Sequence, residues 1–426
     1  MDIYQQYAYS YPHKLAYREF DEPLPLKEVW RTENRTTLFA YLHIPYCEMR
    51  CGFCNLFTIA NPKQGLDNYL AALRREALTY KAVLPDIQFE EYAIGGGTPT
   101  FLDADQLAKM LAIFKNDLSV DTLKKYGSIE SSPKSITPEK IQLIESYGIN
   151  RISIGIQSWI EEETKQLGRP QSSDIASQAV ERLMASRIPE VNIDLIYGIK
   201  GQTARTWQYA LEKTLVYAPT EIFLYPLYTR PLTGLAKLNG SPNIDNRLPL
   251  YRQGRDYLLT NGYRQVSMRC FRRVDAPIIA SEYDSTTNGM VGIGAGARSY
   301  TSKLHYSGHY AVSRKAIKGI IEDYSNQQDF TSVHYGIHLN EEEEIRRFLI
   351  KSLIDGGQLS EHQFEGKFNQ SVLDLEVMQD FFNQGFLVQD GDWIKLSKRG
   401  LELEDWIGPQ LFSSQVNDRM NSFQLI

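Results

Sequence analysis

From residue 38 to about residue 224 the chain repeats one pattern: a short apolar run, a glycine or polar turn, then a longer stretch of helical periodicity. The apolar runs are Leu38–Ile44, Glu90–Ile94, Ser128–Glu130, Arg151–Gly155, Val191–Ile196 and Glu221–Leu224. Helical spacing follows at Leu66–Lys81, Ala104–Phe114, Pro138–Tyr147, Ser173–Arg187 and Thr203–Tyr217. Short strands separated by helices pair in parallel as βαβ units. Six strands in a row predict an α/β fold, an open or partial (β/α)6 barrel, in which ligands are met by the loops at the C-terminal strand ends.

The flanks differ in character. Residues 1–37 read as an arm, rich in tyrosine (Tyr4, Tyr7, Tyr9, Tyr11, Tyr17) and broken by Pro12, Pro23 and Pro25. The barrel is assigned to 38–270. A connecting segment, 271–325, carries the Gly-rich stretch Gly289–Gly296 and completes the site. Residues 326–426 form a C-terminal domain, with helices expected at Glu341–Leu353, Glu361–Phe368 and Val372–Gln384. Two strands follow, Phe386–Val388 and Trp393–Leu396, and a last helix starts near Ser397. That order is winged-helix-like, but the composition is too acidic for DNA, so a lid or docking role is expected.

With 426 residues, 42% hydrophobic and 23% charged, the chain can bury a large core; its net charge of −6 argues against a nucleic-acid or anionic-membrane partner. No signal-peptide core and no membrane-spanning apolar run is visible, and a cytoplasmic location is expected. Three of the four cysteines fall within eight residues, a poor disulfide framework.

Those three form Cys47-Glu-Met-Arg-Cys51-Gly-Phe-Cys54, directly after the first strand. The spacing brings three soft thiolates to one face, which suits an iron–sulfur cluster and leaves one iron of a four-iron cluster open. Zinc would need a fourth ligand, for which His43 is the candidate. Cys270 lies far away and reads as a small buried residue. Gly95-Gly96-Gly97-Thr98-Pro99-Thr100 ends the second strand, where glycines let backbone groups approach a ligand. Glu130, Gln157 and Asp194 recur at later strand ends, with Arg169 in a loop. Each alone reads as ordinary hydrogen bonding at a barrel mouth; together they point to a ligand site. His305 and His309 read as polar residues in an aromatic loop rather than metal or haem ligands, and Glu341–Glu344 as a solvated first helical turn.

At Tyr41-Leu-His-Ile-Pro-Tyr-Cys47 and its cysteine loop, the sequence resembles the radical S-adenosylmethionine enzymes, and more narrowly the oxygen-independent coproporphyrinogen III oxidase (dehydrogenase) family. The matching blocks are Gly95–Thr100, Ile129–Pro133, Asn150–Ser158, Gly168-Arg169, Asn192–Gly198, Gly292–Gly296 and the module ending Leu396–Gly400, over roughly residues 38–406. The resemblance implies a [4Fe–4S] cluster on Cys47, Cys51 and Cys54. It implies S-adenosylmethionine contacts at Tyr41, Phe53, Gly96, Gly97, Thr98, Glu130, Gln157, Arg169 and Asp194, with Tyr228 and Arg298 near a second such molecule. It further implies a reductant protein such as a flavodoxin or ferredoxin, and a small-molecule substrate that could be a tetrapyrrole.

The sequence also departs from that family. Where the dehydrogenase has a fourth cysteine, this chain has Leu56, a change expected to alter the cavity beside the cluster. The His-Asn-x-x-Tyr-Trp motif of the family's haem chaperones has no counterpart between Arg298 and Tyr310. The expectation is a side-branch enzyme that generates a 5′-deoxyadenosyl radical on an unidentified substrate. A haem or tetrapyrrole chaperone and a methyltransferase using two S-adenosylmethionines are the alternatives.

Overall fold

In a computed structural model, every residue is described except 1, 2, 5, 9, 63, 230–232, 236–244, 280, 425 and 426. The strands in chain order are β1 (Arg18–Pro25), β2 (Leu38–Ile44), β3 (Tyr46–Cys47), β4 (Ile59–Ala60), β5 (Phe89–Gly96), β6 (Tyr126–Ser131), β7 (Arg151–Gln157), β8 (Glu190–Tyr197) and β9 (Glu221–Pro226). Then come β10 (Tyr263–Gln265), β11 (Cys270–Arg273), β12 (Met290–Ile293), β13 (Arg298–Tyr300), β14 (Leu304–Ser307), β15 (Ser332–His338), β16 (Gln358–Ser360), β17 (Leu387–Asp390) and β18 (Trp393–Leu396).

All six expected strands are present as β2 and β5–β9, pairing in parallel and in sequence order within one open 13-stranded sheet. β7 and β8 are buried almost throughout, as parallel strands covered on both faces are, whereas β6 buries Gly127, Ile129 and Ser131 and leaves Glu130 exposed. Helix Leu66–Val83 shows how the cover is made: Tyr69, Leu70, Leu73, Ala77 and Tyr80 recur at helical spacing and are buried.

Two regions read as irregular join this sheet. β12, inside the Gly-rich stretch, lies parallel to β2, and β13 and β14 continue from it antiparallel. In the arm, where prolines were expected to limit regular structure, β1 pairs antiparallel with β15 as the edge strand, with a register shift between Glu19 and Leu24. An edge strand tolerates Pro23 and Pro25 because half of its backbone groups face no partner.

The C-terminal part has its own core of Phe348, Leu349, Leu353, Phe364, Ile394 and Ile407. Helices Glu361–Phe368 and Glu376–Asn383 accompany a three-stranded sheet, β16-β18-β17. The expected helix Val372–Gln384 is split: a 3-10 turn, Val372–Asp374, precedes it. Tyr11 and Tyr17 of the arm are buried in this second core, whereas Tyr4 is buried in the first. The arm therefore spans both cores.

Candidate active site

The parallel strands set the site. Register places Ile44 of β2 beside Gly96 of β5 and Gly155 of β7 beside Asp194 of β8, so the marked residues share the C-terminal edge of the sheet. The cysteine loop leaves this edge after β2. β3 and β4 pair in parallel across it, and Asn61 N–H donates to the Cys47 carbonyl (2.8 Å). Gly52 N–H donates to Leu167 O, and Leu235 N–H to Gly52 O, both at 2.8 Å. A side chain at Gly52 would meet the Leu167 carbonyl at 2.9 Å, so glycine lets the loop lie flat there.

The glycine block docks on the same loop. Gly97 N–H donates to Ile44 O (2.7 Å) and Thr98 N–H to Tyr46 O (2.8 Å). Thr98 Oγ1 donates to Cys47 Sγ (3.6 Å). Gly96 has φ +107, and a Cβ at Gly97 would meet Tyr46 O at 2.5 Å, so both positions require glycine. Gly96 N–H donates to Glu130 Oε2 (3.1 Å). Gln157 carries φ +67, a strained conformation for a non-glycine residue at the end of its strand.

Arg169 links two elements. Its Nη1 donates to Cys51 Sγ (3.1 Å) and its Nη2 to the Gly155 carbonyl (2.9 Å), while its buried Nε has no partner. Asp194 Oδ1 accepts from Asn192 Nδ2 (2.7 Å), which also donates to Ser153 Oγ (2.7 Å). Burial pushes Asp194 up to about 6; burial and the neighbouring Asp194 push Glu130 up to about 7. Burial pushes the Cys47 thiol up to about 12 and raises that of Cys54. Without a metal these thiols stay protonated, and iron ligation would offset that cost.

His43, weighed in the sequence only as a zinc ligand, has another place. Burial holds its imidazole neutral by pushing it down to about 4. Nε2 therefore donates to the Phe57 carbonyl (3.1 Å), and Nδ1 accepts from Tyr41 OH (3.1 Å). It ties the Tyr41 ring to the cysteine loop; its spacing of two from Tyr41 on a strand is the signal that they share a face. Among the described residues, no three His, Cys, Asp or Glu side chains converge on one ion. A cluster asks for no such convergence, because each thiolate takes a different iron.

The remaining marked residues make contacts of their own. Phe53 packs with Leu167, Ile196, Ile199 and Leu235. Tyr228 donates to Asp405 and accepts from Arg269 Nη2 (2.7 Å). Arg298 Nη1 donates to Ser10 Oγ (2.8 Å). Cys270 is buried on β11, antiparallel to β9. Leu56 is 45% exposed. His305 is fully buried with neither ring nitrogen partnered, whereas His309 is exposed and 3.7 Å from Glu19.

Comparison with known proteins gives this geometry its class. Residues 41–213 match the Radical SAM superfamily, so the chain carries a radical SAM domain, whose cofactors are a [4Fe–4S] cluster and S-adenosylmethionine. Over nearly its whole length the chain is homologous to coproporphyrinogen III oxidase-like proteins. It is 27% identical to the Heme chaperone HemW of Lactococcus lactis over 400 residues, 90% of this chain and 98% of that protein. It is 25% identical to the Oxygen-independent coproporphyrinogen III oxidase of Escherichia coli over 427 residues, 93% of this chain and 92% of that one. The solved structure of coproporphyrinogen III oxidase (HemN) from Escherichia coli shares the fold, with a TM-score of 0.81 at 23% identity, covering 95% of this chain and 96% of that one. No helix among the described residues is long and apolar enough to cross a membrane.

Proposed function

We propose that Cys47, Cys51 and Cys54 hold the [4Fe–4S] cluster and that the chain is a radical SAM enzyme acting on a small molecule other than coproporphyrinogen III. The observation that carries this reading is Arg169, bonded to Cys51 Sγ and the Gly155 carbonyl with a buried Nε–H left over. A guanidinium so placed suits the carboxylate of S-adenosylmethionine beside the open iron. Gly96, Gly97 and Thr98 offer close backbone approach, Glu130 and Asp194 suit ribose hydroxyls, and Tyr41 and Gln157 complete the wall. Phe53 lies in the loop itself, and Tyr228 and Arg298 are the candidates beside a second S-adenosylmethionine. When loaded and reduced by one electron from a flavodoxin or ferredoxin, the cofactors supply a 5′-deoxyadenosyl radical that abstracts hydrogen from the substrate. The protein's part is to orient that pair and exclude water.

Anaerobically reconstituted protein is expected to hold about four irons and four sulfides per chain and, with dithionite, to convert S-adenosylmethionine to 5′-deoxyadenosine and methionine. Cys51→Ala should abolish the broad visible absorption. Full iron and sulfide in that variant would refute the ligand assignment. A second reading, a haem or tetrapyrrole carrier, is supported by the likeness to the heme chaperone over 98% of that protein. Stoichiometric haem binding without cofactor cleavage would favour it.

A further inference from the structure

After Cys54 the chain turns back on itself. The Phe57 carbonyl accepts from His43 Nε2 (3.1 Å), and Ile59 N–H donates to the Pro45 carbonyl (2.8 Å) as β4 pairs with β3, the strand that carries Cys47. Thr58 stands between these two anchors and is buried. A buried hydroxyl needs a hydrogen-bond partner. Among the described residues that of Thr58 has one, Cys54 Sγ, at 3.8 Å. Either atom could donate while Cys54 carries a proton. A cysteine that ligates a metal is a thiolate with no proton to give, so the hydroxyl then donates and the sulfur accepts.

The other two cysteines are met in the same way. Thr98 Oγ1 donates to Cys47 Sγ (3.6 Å), and Arg169 Nη1 donates to Cys51 Sγ (3.1 Å). Each sulfur therefore has a side-chain donor within reach. The three donors come from separate parts of the chain: the glycine block, the loop after helix Glu161–Gln166, and the return of the cysteine loop. In the proposed function Thr98 and Arg169 also face S-adenosylmethionine, whereas Thr58 has no part in it. Hydrogen bonds to the sulfurs help to set the potential of an iron–sulfur cluster. One-electron reduction adds one negative charge, shared with the ligating sulfurs, and a donor aimed at a sulfur stabilises that more negative state.

We propose that Thr58 raises the reduction potential of the cluster by donating a hydrogen bond to Cys54, so that a weaker one-electron reductant can reduce it. This rests on the reading that Cys47, Cys51 and Cys54 hold the cluster. Thr58 acts through the sulfur of Cys54 and is a positioning residue.

Two variants separate hydrogen bonding from packing. Thr58→Val keeps the shape of the side chain and loses the hydroxyl, whereas Thr58→Ser keeps the hydroxyl and loses the methyl group. Full-length, anaerobically reconstituted protein is poised at a series of potentials, and the reduced cluster is counted by its paramagnetic resonance. At the wild-type midpoint, Thr58→Val should hold about tenfold less reduced cluster relative to oxidised, a shift of about 59 mV for one electron, towards more negative potential. Thr58→Ser should stay near the wild-type midpoint. Should the valine variant hold no cluster, Thr58→Ala is measured in its place. A wild-type midpoint in the variant without the hydroxyl overturns this inference alone, as does an equal shift in Thr58→Ser. Loss of the cluster from both the valine and the alanine variants would make Thr58 a strut of the loop and overturn it too. A wild-type protein that assembles no cluster overturns the proposed function and this inference with it.

Discussion

Replacing Arg169 separates two roles that the site gives one side chain. The guanidinium donates to Cys51 Sγ at 3.1 Å and to the Gly155 carbonyl at 2.9 Å, with its buried Nε–H left over. Arg169→Ala removes the proposed partner of the S-adenosylmethionine carboxylate, a charge-assisted contact of about 1.5–3 kcal/mol. That corresponds to a roughly 10- to 150-fold rise in Kd. Arg169→Lys should recover little, because a single ammonium cannot reach Cys51, Gly155 and a carboxylate in one plane. Iron content should stay at the wild-type level in both variants, since all three thiols remain. The assay is anaerobic equilibrium dialysis against labelled S-adenosylmethionine, with iron counted on the same samples. Wild-type affinity in both variants would refute the reasoning and leave Arg169 a strut between the cysteine loop and β7. Loss of iron in step with affinity would place its action on Cys51 instead.

The carboxylates give a pH signature. Glu130 is raised from its ordinary value to about 7 by burial and Asp194, so the unfolded chain releases this proton at lower pH than the folded one. Its contribution to stability is fully present below about 4.5 and is lost as pH rises through about 7; because Glu130 keeps solvent access, screening reduces the size of the effect, and Glu130→Gln should stabilise the cofactor-free protein measurably at pH 8 and hardly at pH 4.5. Urea midpoints at the two pH values that shift equally would sink this account. Arg269 is fully buried between Glu404 and Asp405, and Arg269→Met strands both carboxylates; a loss of about 3–5 kcal/mol is expected in urea unfolding, and a loss under 1 kcal/mol would mean that water replaces the pair. Coproporphyrinogen III, supplied anaerobically, should yield no efficient formation of protoporphyrin by fluorescence; robust product would overturn the substrate reading.

The parts of the fold legible in sequence were those whose signal is local. Strands β7 and β8 are buried on both faces, and continuous apolar runs such as Val191–Ile196 announce that directly. The stretch Gly289–Gly296 hid β12, because its glycines answer a steric demand that arises only in the assembled sheet: a Cβ at Gly292 would meet the Arg298 carbonyl at 2.2 Å. β16, at three residues, is too short to carry a period, and β1 was masked by prolines that only an edge position permits. The candidate site divides in the same way. Strand-end residues and cysteine spacing are one-dimensional signals, whereas the Arg169–Cys51 contact joins residues 118 positions apart.

The tyrosines of the arm are the clearest case of a pattern whose meaning needs the third dimension. Tyr4 packs edge-on against Tyr197 at 6.2 Å, and the Tyr7 ring centroid lies 3.8 Å from the Arg269 guanidinium. Tyr11 donates to Glu343 and packs on Phe412 at 5.1 Å, and Tyr17 packs on Tyr335 at 6.2 Å. Tyr11 shows the advantage of tyrosine, a buried ring whose hydroxyl still reaches a polar group, whereas the Tyr17 hydroxyl is buried with no hydrogen-bond partner. The contacts pass from the first core at Tyr4 to the second at Tyr11 and Tyr17, so the arm can seat fully only when both are formed. Lys14 lies between Tyr11 and Tyr17, both anchored in the C-terminal core, and its ammonium sits over the Tyr310 ring, whose hydroxyl donates to the Asn55 carbonyl. A change that loosens the C-terminal core therefore also loosens the seat of the arm, although the two lie more than 320 positions apart in sequence.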